Sequence, residues 1–268
     1  MSYYYSDRQL SDAQQTVVMW ATNGMRTPSG LSPLSPARSQ PLDPTYTFSK
    51  MPLHWAVFNN NIEVAEQLRH QKDVNPNRRD VQGKTPLALA ARLGFDEMAE
   101  HLLSREDVIP DVRDGMGRTP LIWAAGWGCS EKIVRLLLAR EDVDYNACDI
   151  DGQAAITWAT RHYQYSIVEI LLEMEGIKPD MEDRDGLTPL EWACRVNSDA
   201  VVEILLKRDD VNPHLRRPSM VGPLSWAIQY ERFEIMQMLK QAGVTDPGEV
   251  VTAGLRRRIW DSVLGLWV

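Results

Sequence analysis

The side chains that could do chemistry are few in this 268-residue chain, and their spacing argues against a reaction centre. Five histidines, His54, His70, His101, His162 and His214, could bind a metal or carry a proton. Their separations from Cys129, Cys148 and Cys194 fit no metal-ligand pattern. Two turns, Asp149-Ile150-Asp151-Gly152 and Asp183-Arg184-Asp185-Gly186, pair carboxylates as calcium loops do. A calcium loop in that register would begin at Ala147 or Met181 and end at Trp158 or Trp192, whose side chains offer no oxygen. Gly126-Trp127-Gly128 begins a phosphate-cradling G-x-G-x-x-G, and Glu131 breaks it. Neither G-x-x-x-x-G-K-S/T nor G-x-S-x-G occurs. No catalytic, metal or cofactor site is therefore expected. A pocket assembled from distant stretches is the remaining route to an enzyme.

The totals narrow the partners. A net charge of −8 lacks the basic footprint that nucleic-acid backbones require. Hydrophobic content of 44% with 25% charged residues suits a folded chain. An odd number of cysteines without C-x-x-C spacing reads as reduced thiols in an intracellular protein, cytoplasmic or nuclear. The start, MSYYYSDRQL, lacks the basic and apolar regions of a signal peptide. No apolar run reaches the roughly 18 residues that a membrane span needs.

What the chain does carry is a repeat. Met51-Pro52-Leu53-His54-Trp55-Ala56 is echoed by Thr85 to Ala90, Thr119 to Ala124, Ala154 to Ala159, Thr188 to Ala193 and Gly222 to Ala227. The second position falls at 52, 86, 120, 155, 189 and 223, giving spacings of 34, 34, 35, 34 and 34. A fixed period of this size predicts stacked units with an extended surface. In the unit from Asp114 to Val143, Gly117 closes a turn, Thr119 caps a first helix and Pro120 opens it. Gly128 is expected to end that helix. Ser130 caps a second helix with Ile133, Val134, Leu137 and Leu138 at helical spacing. Met98, Ala99, Leu102 and Leu103 repeat the pattern, as do Ile167, Val168, Leu171 and Leu172, and Val201, Val202, Leu205 and Leu206. So does the Asp-to-Gly turn, at Asp80, Asp114, Asp149 and Asp183. Helix pairs this short bury their apolar sides only against neighbours.

These residues resemble the ankyrin repeat family, whose unit is Asp-x-x-Gly-x-Thr-Pro-Leu-His-x-Ala followed by Gly and a leucine-rich second helix. The resemblance covers about residues 45 to 244. It implies an all-α solenoid of six repeats, each a pair of antiparallel helices with a β-turn finger. The frequent tryptophan in one slot resembles fungal arrays of this kind. Departures are clear: the family histidine survives only at His54, Ala154-Ala155 replaces Thr-Pro, and the first and last units lack the Asp-Gly turn. Trp55, Trp123, Trp158, Trp192 and Trp226 share one repeated slot, with Leu89 in the sixth copy. They read as filling between helix pairs, against the alternative of an aromatic ladder for a ligand.

The resemblance implies a protein-binding module that uses finger tips and the last inner-helix positions. Carried onto this chain, the inner positions include Phe58, Arg92, Leu93, Trp127, Arg161, His162, Arg195 and Tyr230. The finger positions include Met116, Arg118 and Arg184. Residues 45–248 hold 23 Lys+Arg against 32 Asp+Glu, yet the inner stripe carries arginine and aromatics and no carboxylate. Arginine, tryptophan and tyrosine most often carry interface energy. The expected partner is an acidic segment of another protein gripped on a concave face, with Trp127 as apolar anchor. The alternatives are arginines lying over helix surfaces in solvent, or an enzyme or small-molecule binder using the same arginine-lined groove.

The ends read differently. Residues 1–25 could form an N-terminal capping helix from Ser11, and residues 26–44, with five prolines, read as a linker. The repeat domain then spans 45–248. Residues 249–268, with Arg256 to Arg258 ahead of Ile259, Trp260, Val263 and Leu264, read as a helix that caps the last repeat or docks elsewhere.

Overall fold

A computed structural model describes residues 51–71, 73–214 and 222–244. The expected N-terminal cap (1–25), the linker (26–44) and the helix over 249–268 lie outside them. The chain divides into two compact units at Ile177/Lys178.

In the first unit the described residues form four helix pairs. They are α1 (Pro52–Phe58) with α2 (Ile62–Arg69), and α3 (Pro86–Leu93) with α4 (Asp96–Leu103). Then come α5 (Pro120–Trp123) with α6 (Glu131–Leu138), and α7 (Ala155–Arg161) with α8 (Tyr165–Leu172). The second unit holds α9 (Pro189–Val196) with α10 (Asp199–Leu206), and α11 (Pro223–Gln229) with α12 (Phe233–Gln241). Among the described residues there is no strand, only a single bridge between Cys148 and Ala154.

Helices of seven to nine residues are marginal alone, so packing must hold them. Within the first unit α1, α3, α5 and α7 pack in sequence as one layer, and α2, α4, α6 and α8 as another. Within the second unit α9 packs on α11 and α10 on α12. Leu87, Leu121, Ile122 and Ile156 on first helices, and Met98, Leu102, Ile133, Leu137, Ile167 and Leu171 on second helices, are fully buried. The fourth apolar position is less enclosed in three of the second helices, where Leu103, Leu138 and Leu206 are half-buried, while Leu172 is buried.

Local signals act as the residue types dictate. Thr85, Thr119 and Thr188 accept the N–H of Ala88, Ile122 and Glu191, satisfying an orphan donor of each first turn. Glu191 reaches back to the Thr188 N–H at 2.9 Å and completes a capping box. Ala154 has no such side chain, and α7 starts without a side-chain cap. Ser130 accepts from the Ile133 N–H at 3.1 Å, as its position predicts.

The third pair departs from expectation. Its first helix ends at Gly128, but Gly128 is not the left-handed residue that closes it. The helix runs on from Trp123 as one wide turn, Ala124–Gly128, with i to i+5 spacing, and Cys129 (φ 49°) takes the left-handed position. In the other pairs that position lies eight residues after the first helical residue: Asn60, Gly94, Tyr163, Asn197 and Glu231. In the third pair it lies nine after Pro120. The extra residue behind the single 35-residue spacing therefore sits in this π-turn. Gly128 serves a different need: a Cβ there would fall 1.9 Å from the Ala91 carbonyl oxygen.

Candidate functional site

The finger turns position the site. Asp114 accepts the Met116 and Arg118 N–H groups on Oδ1 at 2.8 and 2.9 Å, which fixes the turn closed by Gly117. Its Oδ2 accepts the indole N–H of Trp123 at 3.0 Å. Asp149 treats Asp151, Gln153 and Trp158 the same way, at 3.0, 2.9 and 2.9 Å. In the second unit Asp183 does so for Asp185, Leu187 and Trp192, at 3.0, 2.9 and 2.7 Å. Each aspartate thus ties its finger to the tryptophan nine residues on. A buried indole needs a partner for its N–H, and the turn supplies it. Neighbouring fingers are tied in turn, Gly115 N–H to the Gln82 carbonyl at 2.9 Å and Ile150 N–H to the Met116 carbonyl at 3.0 Å.

The tryptophan slot divides by position. Trp123, Trp158 and Trp192 are buried, as filling between helix pairs requires, while Trp55 and Trp226 are half-buried. Trp226 follows Arg217, not aspartate, by nine residues, and its buried indole N–H has no partner among the described residues.

In the first unit these rings build a surface. Trp127 is carried by the π-turn and lies 4.6 Å from Trp123 and 4.4 Å from Trp158, centroid to centroid. His162 joins them, 5.2 Å from Trp127 and 5.5 Å from Trp158. The Arg118 guanidinium lies 4.9, 4.8 and 5.0 Å from the centres of Trp123, Trp127 and Trp158. Its Nε is 3.7 Å from Asp149 Oδ2, an ion pair too long for a hydrogen bond. Arg161 lies 4.8 Å from the Trp158 ring centre, and Lys84 and Arg92 lie 5.2 and 5.5 Å from that of Trp123. Cations over indole faces are favourable, the more so where water is thinned.

The electrostatics keep this face positive and its histidine neutral. Burial, then the Arg161 charge, lowers the His162 pKa below the ordinary value. Burial likewise lowers that of Lys84, against a smaller opposing pull from Asp80. Asp114 and Asp149 lie beneath, spent on backbone and indole donors.

Of the expected binding residues of the first unit, Arg92, Arg118, Trp127, Arg161 and His162 lie at the rings. Arg92, Leu93, Met116 and Trp127 are exposed, and Arg161 and His162 are half-buried beside the rings. Arg118 is the exception to its expected place at a finger tip, since its side chain folds inward over three rings. Phe58, on α1, is exposed. The second unit has a smaller cluster of its own. Arg195 lies 4.9 Å from Trp192 and 5.4 Å from Trp226, which stacks on Tyr230 at 5.8 Å, and Arg184 is exposed. Lys84, a finger position, belongs to the site, as do Trp123 and Trp158, which the spacing reads as filling between helix pairs. The signal available was an aspartate nine residues before a tryptophan, repeated three times.

Among the described residues no three His, Cys, Asp or Glu side chains gather to hold a metal. Burial pushes the Cys129 and Cys194 thiols up, away from the reactive thiolate. No described helix is long and apolar enough to cross a membrane.

A family model for ankyrin repeats matches residues 53–149 and 132–217. An ankyrin repeat domain from Acinetobacter baumannii, solved by crystallography, is similar at 26% identity and a TM-score of 0.65. The match covers 73% of this chain and all of that one. No curated protein matches. Ankyrin repeats are in general protein–protein interaction modules and not enzymes. The matched models span more than half of these 268 residues, with the all-α paired-helix fold to go with them, and the chain belongs to the ankyrin-repeat family.

Proposed function

We propose that this protein is a non-catalytic adaptor that binds another protein, through an acidic segment, on the arginine and tryptophan face of its first unit. One observation carries the reading. In a chain of net charge −8, Lys84, Arg92, Arg118 and Arg161 converge on three touching tryptophans. Among the described residues Arg92 has no ion pair, and the aspartates below are occupied by backbone and indole donors. Such a face repels cations and rewards carboxylates, and the rings beside it thin the competing water. Trp127, Leu93 and Met116 add exposed apolar area of the kind that anchors an interface. The Arg195, Trp192, Trp226 and Tyr230 cluster of the second unit offers a further contact of the same chemistry. The protein works inside the cell, in cytoplasm or nucleus, where the buried Cys194 stays a thiol.

The test is affinity purification of the tagged chain from its own cells, with the partner identified by mass spectrometry. The double variant Arg92→Glu and Arg161→Glu should lose that partner while its melting curve stays native. A partner retained at wild-type level by a folded double variant would assign binding to another surface.

A further inference from the structure

The extra residue of the third pair has a consequence for what this face accepts. We infer that the π-turn and Arg118 form a two-part subsite for an acidic and an aromatic side chain two residues apart in an extended segment. This rests on the reading above that a protein partner occupies the face.

The geometry separates the two parts. Three indoles lie around the Arg118 guanidinium at 4.8 to 5.0 Å, so its faces are taken and it cannot swing freely. Nε faces Asp149 Oδ2 at 3.7 Å, an ion pair without a hydrogen bond. The terminal Nη nitrogens make no hydrogen bond among the described residues, and 16% of the side chain is open to solvent. A ligand must therefore meet the edge of the guanidinium, where paired donors match the two oxygens of a carboxylate. A cationic side chain is excluded from the rings because Arg118 already occupies them, with Lys84, Arg92 and Arg161 close by.

Trp127 is the second part. It is 37% exposed, and its ring centre is 4.8 Å from Arg118. In an extended segment, residues i and i+2 point the same way about 7 Å apart, so one can reach the guanidinium edge and the other the open indole. The inserted residue makes this possible. Gly126 passes against the Trp158 ring, where a Cβ would sit at 3.5 Å, and the wide turn seats Trp127 between Trp123 and Trp158. π-turns recur at functional sites because they re-aim a side chain at the cost of one helical bond.

The experiment uses the full chain and two fluorescein-labelled peptide pools with randomised flanks, one with a Glu-x-aromatic core and one with Gln-x-aromatic, read by anisotropy. The Glu pool should bind wild type, more weakly as KCl rises, and the Gln pool should not. Arg118→Gln and Trp127→Ala should each weaken binding about tenfold to a hundredfold. Lys132→Gln, the same charge change on α6, should leave it unchanged. Deletion of Gly126, which restores the 34-residue period, should abolish binding with a native melt; if the deletion does not fold, the two point variants decide. Folded Arg118→Gln and Trp127→Ala proteins that bind as wild type does would overturn the subsite. If neither pool binds wild type while the natural partner still needs Arg92 and Arg161, the subsite falls and the face stands. If the natural partner ignores Arg92 and Arg161, the wider reading falls.

Discussion

Asp149 holds a finger, an indole and a guanidinium at once, so its removal should be costly in a calculable way. Its side chain is 1% exposed and accepts two backbone N–H groups at 3.0 and 2.9 Å and the Trp158 indole N–H at 2.9 Å. Asp149→Ala strands two buried donors and one part-buried donor, and leaves Arg118 without its only ion pair among the described residues. Each stranded donor costs about 1–3 kcal/mol, with water recovering part of the loss at the turn, so about 3–5 kcal/mol is expected. Asp80 accepts the same two backbone bonds, at 2.8 Å each, but has Leu89 instead of tryptophan nine residues on and is half-buried. Asp80→Ala should therefore cost only about 1–2 kcal/mol. Urea unfolding of both variants gives the comparison, and a cycle of Asp149→Ala with Trp158→Phe isolates the indole bond, expected at about 1–2 kcal/mol of coupling. Equal losses for the two aspartates, or a cycle that closes to zero, would refute the claim that fingers and tryptophans are bonded as pairs.

Three further outcomes follow from the same contacts. Gly128→Ala should destabilise by about 1–3 kcal/mol or more, because its Cβ would meet the Ala91 carbonyl at 1.9 Å, whereas Gly126→Ala, at 3.5 Å from Trp158, should be mild; thermal melts compare them. Trp226→Phe should cost well under the corresponding Trp158→Phe, since the Trp226 N–H has no partner among the described residues and Trp158 would lose its bond to Asp149. Burial lowers the pKa of His54 and His162 in the folded chain, so acid protonates the unfolded form first. Their contribution to stability is then full above about pH 6.5 and is lost as pH falls below it, levelling off under the folded values. Glu191, raised by burial, opposes this: the folded chain takes up its proton first, and its contribution grows as pH falls through the folded value. Melting temperatures of wild type and His162→Gln between pH 5 and 7 should diverge in slope, the variant being flatter.

The period, the helix pairs and their caps were legible because each rests on local chemistry. Threonine before proline, aspartate before glycine and leucine at helical spacing act through neighbours in sequence. The wide turn of the third first-helix and its left-handed closure at Cys129 were not legible. Glycine is the usual left-handed residue, so Gly128 looked like the terminator, while its real constraint is the backbone of Ala91 in the preceding pair. The 35-residue spacing announced an extra residue without saying where it sat, since a turn or loop would absorb it equally well. Arg118 was legible as a finger residue and not as the centre of the tryptophan cluster. Its direction is set by Trp123 of its own unit together with Asp149 and Trp158 of the next, and the last two are distant in sequence. The aspartate–tryptophan pairs lay in plain view at a separation of nine, and three exceptions, Tyr46, Leu89 and Arg217, obscured them.

Hydrogen–deuterium exchange of the full chain with and without its saturating partner tests the binding face most directly. Amides of the finger at 114–118, the π-turn at 124–129 and the end of α7 at 158–163 should gain protection, while those of the second helices α6 and α8 should not change. Protection confined to the second helices, with the π-turn exchanging as in the unbound chain, would contradict the account.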